Sequence, residues 1–313
     1  MVRWIITNPQ PKPFHEQGRM TQLSEKFNRS VSMLSWCHNE EELIGGFLDR
    51  AVKLLEDTVV DWELIVVDDG STDQTAEILS QYAQNEPRIR ILTNEKNINV
   101  GLSCRRAVES AGKDFLFWQT VDWSYDLNNL RIFLELLNHF DVVQGIRPTP
   151  IRLLSYIPLL RSIYRVKSRS DNFRKAIVSL SNYYLLRILF GASFHDFQNI
   201  TFYPTALVQS LELRGKTSFV NPEMLIKVYR AGANVIEVPI SFIPRQKGIA
   251  KGTKLSSLLR SVADILRSWI RWNFRFREKT EFSRRKRIYR VANPFALSDK
   301  VLNLVIPLFK EFR

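Results

Sequence analysis

The sequence predicts an α/β fold in which helices flank a mainly parallel sheet. From Ser30 onward, short apolar runs alternate with longer amphipathic stretches, and this alternation is typical of βα units. The chain has 313 residues, 45% of them hydrophobic. That is enough for one large domain with an appendage or for two smaller domains, and it excludes disorder over the whole chain.

The clearest elements lie between Ser30 and Trp118. Apolar runs predict the strands there, and helical spacing of apolar residues predicts the segments between them. Together they are typical of a Rossmann-type nucleotide-binding half. In order, the predicted elements are strand Val31–Leu34, helix Glu41–Leu55, strand Glu63–Val67, helix Asp73–Gln84, strand Ile89–Leu92, helix Leu102–Ala111 and strand Asp114–Trp118.

The alternation loosens after Asp122, and Pro244 marks the edge of the predicted body. The segment Ile151–Ile163 is apolar and basic without a clear period. The elements predicted around it are helix Leu127–Leu137, strand Asp141–Val143, helix Asn172–Leu189, helix Pro222–Ala231 and strand Asn234–Ile240.

The positive charge is concentrated near the C-terminus. The chain has 45 Lys and Arg against 32 Asp and Glu, a net charge of +13. Residues 245–290 contain 15 Lys and Arg and only three acidic residues, which accounts for +12 of that excess. A nearly neutral body with a basic arm indicates a polyanionic partner, either nucleic acid or an anionic membrane surface.

The start of this arm has the pattern of an amphipathic helix. Seven apolar residues recur at spacings of three and four, with arginines beside them. Such a helix either packs on the domain or lies in a membrane interface, and both interpretations stay open. The apolar positions are Leu255, Leu258, Leu259, Val262, Ile265, Leu266 and Trp269, and the arginines are Arg260, Arg267 and Arg271.

The resulting domain prediction has three parts: a flexible N-terminal tail over 1–29, a folded body over 30–254 and a basic amphipathic helical arm over 255–313. No transmembrane helix is expected, because Val301–Phe309 is far shorter than the roughly 20 residues that span a bilayer. The N-terminus lacks a signal-peptide pattern. Cys37 and Cys104 form neither a disulfide framework nor a metal cluster, which suits a reducing compartment.

Two adjacent carboxylates provide the strongest local signal for a site. Asp68 and Asp69 end a buried strand, and Gly70 then turns the chain toward a helix. Ligands bind at the carboxyl ends of strands in parallel α/β sheets, so these acids are candidates for contacts to a base or a ribose. The alternative is that they only cap and solvate the turn. Asn39 and Glu40 follow the first strand and are expected beside them.

Several passages that follow one another along the chain carry a family resemblance. They are the strand that starts at Ser30, the Asn39–Glu40 pair, Asp68–Asp73, the Asn97–Ser103 turn, the DFQN sequence at Asp196, the helix acid Glu223 and, most specific of all, Glu237–Lys251, EVPISFIPRQKGIAK. Together they resemble family 2 glycosyltransferases with the GT-A fold, and in particular the polyprenyl-phosphate group that includes dolichol-phosphate mannosyltransferases. The resemblance covers about Ser30 to Lys254.

This resemblance implies a GT-A domain with a basic helical extension that moves a sugar, with inversion, from a nucleotide sugar to a polyprenyl phosphate. It assigns the residues of three subsites. Those implied for the nucleotide sugar are Cys37, Asn39, Glu40, Asp68, Asp69, Gly70, Gly101 and Asp122. Those implied for the acceptor and its phosphate are Arg147, Gln198, Arg245 and Lys251, and those implied for catalysis are Asp122, Asp196 and Arg245.

The family's Asp-x-Asp metal motif is incomplete in this chain. Thr120 stands in the first acidic position and leaves Asp122 as the implied ligand of Mg²⁺ or Mn²⁺. A hard divalent cation can be held by one carboxylate, waters and substrate phosphates. Asn199 also replaces the glycine that is usual in the acceptor motif. These two departures keep open a non-catalytic subunit that binds nucleotide without turnover.

The implied partners are a nucleotide sugar, a polyprenyl phosphate or another glycan-lipid acceptor, and an anionic membrane surface. Nucleic acid is not expected, because no base-reading module is recognised. The basic arm would contact the membrane directly or through a partner. The protein partners considered are a membrane protein and further copies of this chain in a homo-oligomer. The expected location is therefore cytoplasmic, peripheral on the inner face of a membrane. Transfer to a glycan or glycolipid hydroxyl remains the alternative reaction.

Overall fold

The computed structural model describes residues 25–147, 173–243, 255–274, 287–291 and 297–308. Within these residues eight strands form one sheet flanked by helices, which confirms the predicted α/β class. The strands are β1 Phe27–Cys37, β2 Val59–Asp68, β3 Ile89–Thr93, β4 Phe115–Trp118, β5 Val142–Ile146, β6 Thr201–Pro204, β7 Asn234–Pro239 and β8 Arg287–Arg290.

The helices of the described residues connect these strands or follow them. They are α1 Glu41–Thr58, α2 Thr75–Asn85, α3 Val100–Ser110, α4 Leu130–Leu136, α5 Phe173–Phe190, α6 Thr205–Gln209, α7 Val220–Arg230, α8 Leu255–Phe274 and α9 Asp299–Val305. Not one of them is both long and apolar enough to cross a bilayer.

The sheet has the strand order β3-β2-β1-β4-β6-β5-β7-β8. β6 runs antiparallel to both of its neighbours, β4 and β5, whereas the other pairings are parallel. The carboxyl ends of β2, β1 and β4 therefore lie next to one another along one edge. Asn39, Asp68, Asp69 and Asp122 end or follow these strands and therefore lie along this edge.

Burial explains why the central strands form where the sequence predicts them. The run Leu64–Val67 in β2 is fully buried, as expected for a strand of a parallel sheet that is covered by helices. Helix α1 turns Ile44, Leu48 and Leu55 toward this core at helical spacing. The apolar run in β2 and the helical spacing of apolar residues in α1 thus favour the same α/β core.

The N-terminal boundary differs from the predicted tail over 1–29. β1 already begins at Phe27, whose side chain is fully buried and lies with its ring centroid 6.0 Å from that of Phe115. Phe27 through Arg29 therefore belong to the sheet. Residues 1–24 of the predicted tail lie outside the described residues.

The described residues beyond 254 share the core of the body. β8 extends the sheet by pairing with β7, and Val301 and Val305 of α9 are buried. In α8, Ile265 is buried, whereas Leu259 and Leu266 are 62% and 41% exposed. The predicted apolar stripe is therefore split between a packed side and an exposed side, and contact of the exposed side with a membrane stays a prediction.

Candidate functional site

Asp68 and Asp69 are held in place at the carboxyl end of β2. Both are buried, with 1% and 4% of their surface exposed. Asp68 Oδ1 accepts a hydrogen bond from the backbone N–H of Ser71 at 3.0 Å, and Asp69 Oδ1 accepts bonds from Asn94 Nδ2 and from the N–H of Ile98, each at 2.9 Å. The predicted capping role is thus real. Nucleotide binding by the same carboxylates stays a prediction.

The segment after β1 is hydrogen-bonded to the turn after β2. Asn39 has a positive φ of 53°, its N–H donates to Ser71 Oγ at 3.0 Å, and its Oδ1 accepts the N–H of Thr72 at 2.8 Å. The N–H of Glu40 donates to Thr75 Oγ1 at 2.9 Å. Asn39 and Glu40 are therefore brought beside Asp68, as the sequence predicts.

Cys37 is placed at this edge with its side chain turned inward. Its Sγ lies 3.7 Å from the carbonyl oxygen of Val67. Burial raises the pKa of the Cys37 thiol, with a further increase from the neighbouring Asp68, so the thiol stays protonated and weakly reactive. Any contribution of Cys37 to nucleotide binding would come from its backbone.

Gly70 and Gly101 are each required by the close approach of another backbone. A Cβ at Gly70 would lie 2.5 Å from the carbonyl carbon of Lys96, and the φ of Gly70 is +69°. A Cβ at Gly101 would lie 2.4 Å from the carbonyl carbon of Lys216 and 2.6 Å from the nitrogen of Thr217. Gly101 thus packs the first turn of α3 against the loop before α7, a contact that the sequence did not predict.

Replacing Gly70 with alanine is expected to lower the free energy of unfolding by about 2 kcal/mol or more. A left-handed conformation costs a non-glycine residue roughly 1–2 kcal/mol, and the Lys96 backbone must also move. The midpoint of urea unfolding measures this change. Gly46→Ala is the matched control, since nothing lies within 4 Å of a Cβ there and alanine is the better helix former by about 1 kcal/mol. Equal stability of Gly70→Ala and the wild type would contradict the prediction.

The loop after β4 is folded around Gln119 and Thr120. Gln119 donates from Nε2 to the carbonyl of Tyr125 at 2.7 Å, and Thr120 Oγ1 accepts the N–H of Ser124 at 3.0 Å. Ser124 Oγ in turn donates to Asp122 Oδ1 at 2.6 Å. Thr120 therefore stabilises the turn that presents Asp122, which gives the replaced acidic position a structural role.

The acceptor-side residues meet around Tyr125. Arg147 Nε lies 3.3 Å from Asp196 Oδ2, and their side chains are 16% and 4% exposed. The hydroxyl of Tyr125 donates to the carbonyl of Gln198 at 3.0 Å. Burial raises the pKa of Tyr125 to about 12, and the charges of Arg147, Asp196 and Asp122 all act on it. The structure thus brings Asp122, Arg147, Asp196 and Gln198 into one cluster.

A buried charge cluster holds the backbone immediately before Asp196. Glu237 is fully buried, and it accepts hydrogen bonds from the N–H of His195 at 2.6 Å and from Arg290 Nε at 3.0 Å. His195 Nδ1 also lies 2.6 Å from Glu237 Oε2. Glu237 is recognisable in the sequence only as part of a motif, and its partners are not, because Arg290 is 53 residues further along the chain.

Glu223 stands inside the protein, away from any open surface. It is fully buried, with 0% solvent exposure, and it accepts the N–H groups of Arg214 at 3.1 Å and Gly215 at 2.6 Å. Lys227 Nζ lies 3.4 Å from its Oε1. The helix acid that the resemblance singled out therefore holds a loop by its backbone.

Two predicted residues, Arg245 and Lys251, lie outside the described residues. In the described part of the chain no group of three or more His, Cys, Asp or Glu side chains is arranged to hold a metal ion. Asp122 thus offers a single carboxylate, and the hydroxyl of Thr120 is already bonded to Ser124. This set of oxygen ligands fits a divalent cation only if substrate phosphates supply further ligands.

A protein-family model matches the N-terminal part of the described chain. Residues 32–190, just over half of the chain, match the model of the family described as glycosyl transferase family 2. Among solved structures, glucosyl-3-phosphoglycerate synthase of Mycobacterium tuberculosis, crystallised with Mn²⁺, uridine diphosphate and glucosyl-3-phosphoglycerate, has a TM-score of 0.52 at 17% identity. The match covers 77% of this chain and 80% of that chain. At this identity the likeness concerns the fold alone.

The curated relatives include three glycosyltransferases. Glycosyltransferase AglD of Haloferax volcanii is 27% identical over 76% of this chain and 37% of its own length. A dolichyl-phosphate β-glucosyltransferase of Trichomonas vaginalis is 44% identical over 20% of each chain. A dodecaprenyl-phosphate galacturonate synthase of Rhizobium johnstonii is 23% identical over 75% of this chain and 65% of its own length. The chain thus spans less than two thirds of the length of these relatives.

Proposed function

The chain belongs to glycosyl transferase family 2, and from this premise we propose that it transfers a sugar, with inversion, from a nucleotide sugar to a polyprenyl phosphate at a membrane surface. The observation that carries the proposal is the cluster of Asp122 with Arg147 and Asp196, on the sheet edge that also carries Asp68 and Asp69. Two relatives named for dolichyl phosphate and dodecaprenyl phosphate support the acceptor class.

The donor nucleotide would bind over the carboxyl ends of β1 and β2. Asp68 and Asp69 can accept hydrogen bonds from a base N–H or a ribose hydroxyl, and both are already oriented by backbone donors. Asn39 and Glu40 would line the adjacent side. Because these hydrogen bonds restrict the two carboxylates, part of the ordering entropy is already lost before the ligand binds.

A divalent cation, Mg²⁺ or Mn²⁺, would be held by Asp122 together with the diphosphate of the donor. When bound, it would neutralise the negative charge that develops on the leaving diphosphate. Ser124 supports this role, since its hydroxyl bonds to Asp122 Oδ1 at 2.6 Å and orients the carboxylate. Partners of this kind usually keep a ligand in its binding orientation.

The acceptor phosphate would bind beside Arg147, whose guanidinium can hold two phosphate oxygens. Arg245, Lys251 and Gln198 are proposed to complete this subsite on the strength of the family resemblance. One acceptor oxygen attacks the anomeric carbon from the face opposite the diphosphate, so that a new C–O bond forms as the bond to the diphosphate breaks. The second pKa of a phosphate monoester is about 6, so the attacking oxygen has no proton to lose at neutral pH.

The Arg147–Asp196 pair favours a phosphate acceptor over a sugar hydroxyl. A hydroxyl acceptor needs a general base, and Asp196 is the candidate. Protonating Asp196 would break an ion pair whose carboxylate is only 4% exposed. A dianionic phosphate avoids this step, and Asp196 then serves to hold Arg147 in position.

The proposed place of action is an anionic membrane surface, at its inner face and from the cytoplasm. The exposed side of α8 supports the membrane contact. Leu259, Leu266 and Ile270 are 62%, 41% and 52% exposed, and spacings of seven and four residues put them on one side of a helix. Arg260 and Arg267 are exposed beside them. Apolar residues flanked by arginines are typical of a helix that lies in a membrane interface.

Leu266→Glu is expected to weaken binding to anionic vesicles by roughly tenfold or more. Burial of a leucine side chain contributes about 1.5–3 kcal/mol, and the new charge would be repelled by the lipid headgroups. Sedimentation with phosphatidylglycerol-containing vesicles measures the effect. Val60→Glu is the control, since Val60 is 64% exposed at the start of β2. Equal losses in both variants would remove the proposed role of this face.

The reaction itself is tested by labelling a lipid extract. The protein is incubated with membrane lipids and a panel of radiolabelled nucleotide sugars, and the products are separated. Label in a phospholipid that resists alkali and is released by mild acid supports polyprenyl-phosphate transfer. Activity on saccharides without such a lipid product would favour the alternative, transfer to a glycan or glycolipid hydroxyl. Nucleotide binding without turnover would instead support a non-catalytic subunit, the alternative raised by Thr120 and Asn199.

A further inference from the structure

Two buried carboxylates hold the loop between α6 and α7 by its backbone. Glu223 accepts the N–H groups of Arg214 and Gly215. Asp264 Oδ2 accepts the next two, from Lys216 at 2.9 Å and Thr217 at 3.1 Å. Four consecutive N–H groups thus point at carboxylates. Charge-assisted bonds of this kind are about twice as strong as neutral ones, so these two carboxylates set the position of the loop.

Asp264 is unusual for the helix that carries it. Asp264 is the single acidic residue in the sequence of α8, whereas Arg260, Arg267 and Arg271 make the helix basic. Its side chain is turned away from the exposed apolar side of the helix, and the residue is only 8% exposed. Burying a carboxylate is costly unless it is hydrogen-bonded, and the bonds to the 216–217 backbone provide that compensation.

The same loop touches the proposed nucleotide edge. Lys216 and Thr217 lie so close to Gly101 that a Cβ there would be 2.4 Å and 2.6 Å from their backbone atoms. Gly101 is in the first turn of α3, and just before this turn the N–H of Ile98 donates to Asp69 Oδ1 at 2.9 Å. An unbroken series of contacts therefore joins α8 to Asp69.

We infer that Asp264 is a positioning residue that links contact of α8 with an anionic lipid surface to nucleotide binding at Asp68 and Asp69. The inference rests on the proposed function. A membrane that holds α8 in place also holds the 216–217 loop and the first turn of α3, so the nucleotide binds with less loss of conformational entropy. Linkage requires the converse: the nucleotide strengthens vesicle binding by the same factor.

The test measures both affinities of the full chain and the coupling between them. The dissociation constants of UDP and of GDP are measured by calorimetry with Mn²⁺, with and without vesicles that contain phosphatidylglycerol. Vesicle sedimentation is then repeated with and without the nucleotide that binds. The variants are Asp264→Ala, which leaves two loop N–H groups without their acceptor, and Asp264→Asn, which keeps an acceptor oxygen and the shape. Asp57→Asn, at an exposed position in α1, is the control for loss of one charge.

In the wild type and in Asp57→Asn, vesicles are expected to strengthen nucleotide binding about fivefold or more, with an equal effect of nucleotide on vesicle binding. In Asp264→Ala both effects should fall toward onefold while vesicle binding without nucleotide is kept, and Asp264→Asn should retain an intermediate coupling. If Asp264→Ala does not fold, Asp264→Asn decides the result. Binding of nucleotide and of vesicles without coupling in the wild type overturns this inference alone, whereas no binding of either nucleotide also removes the proposed function.

Discussion

Asp122→Asn is expected to lower the rate of sugar transfer by roughly 100- to 1000-fold, the cost of removing one group that stabilises charge in a transition state. Asparagine keeps the shape and can still accept the hydrogen bond from Ser124, so the loop should stay folded. The negative charge that would bind the cation is lost. The initial rate of lipid labelling, measured over a range of Mn²⁺ and Mg²⁺ concentrations, shows the change.

The matched control is Asp126→Asn, four residues further along the same loop. Asp126 Oδ1 accepts the N–H of Asn128 at 3.0 Å, and asparagine can accept the same bond. Its rate should therefore stay close to that of the wild type. Equal activity of Asp122→Asn and the wild type at limiting metal concentration would contradict the assignment of Asp122 as a ligand of the cation. Equal losses of activity in Asp122→Asn and Asp126→Asn would show that the effect is not specific to Asp122.

Glu223→Ala is expected to lower the free energy of unfolding by about 3 kcal/mol. Breaking a buried ion pair costs roughly 3–5 kcal/mol because the partner charge is left uncompensated. In this case the partner is Lys227, whose side chain is 3% exposed. The lower end of the range applies because the carbonyl of Glu212 also accepts a hydrogen bond from Lys227. The N–H groups of Arg214 and Gly215 would lose their acceptor as well.

Urea unfolding measures this loss, and Glu212→Ala is the control. The Glu212 side chain is 64% exposed and pairs with Arg214 at the surface, so its removal should change stability by at most about 0.5 kcal/mol. Similar values for the two variants would mean that burial of the Glu223 cluster contributes little. The comparison separates a buried carboxylate from an exposed one in the same part of the chain.

Local sequence patterns were sufficient to predict the sheet edge that carries Asp68 and Asp69. The run that ends at Asp68 and Asp69 is apolar, and Gly70 follows where only glycine fits both φ and the Lys96 backbone. Strand, turn and helix are encoded by neighbouring residues there, so the pattern predicts them without tertiary information. The same holds for Asn39, because parallel pairing of β1 with β2 puts the ends of both strands at one edge.

Composition does not predict the structure where strand pairing decides it. The sequence Arg287–Arg290 has two arginines in four residues, and its charge places it in the predicted basic helical arm, but it pairs with β7 as β8. A short segment at the edge of a sheet forms a strand because it pairs with the strand beside it, so its structure depends on that partner. The periodicity of four residues does not reveal such pairing. β6 and α6 were missed for a similar reason, since each has only four or five residues.

The sequence by itself determined the α/β class, the order of the central strands and helices, the acidic edge at Asp68 and Asp69, and the basic amphipathic character of α8. These properties follow from period, composition and turn chemistry, which act between near neighbours. Only the tertiary structure decided that Glu223 and Asp264 are buried acceptors for one loop and that Arg290 reaches Glu237. A carboxylate looks the same in a sequence whether it meets water or two backbone N–H groups, because its partners are brought to it by the packing of distant segments.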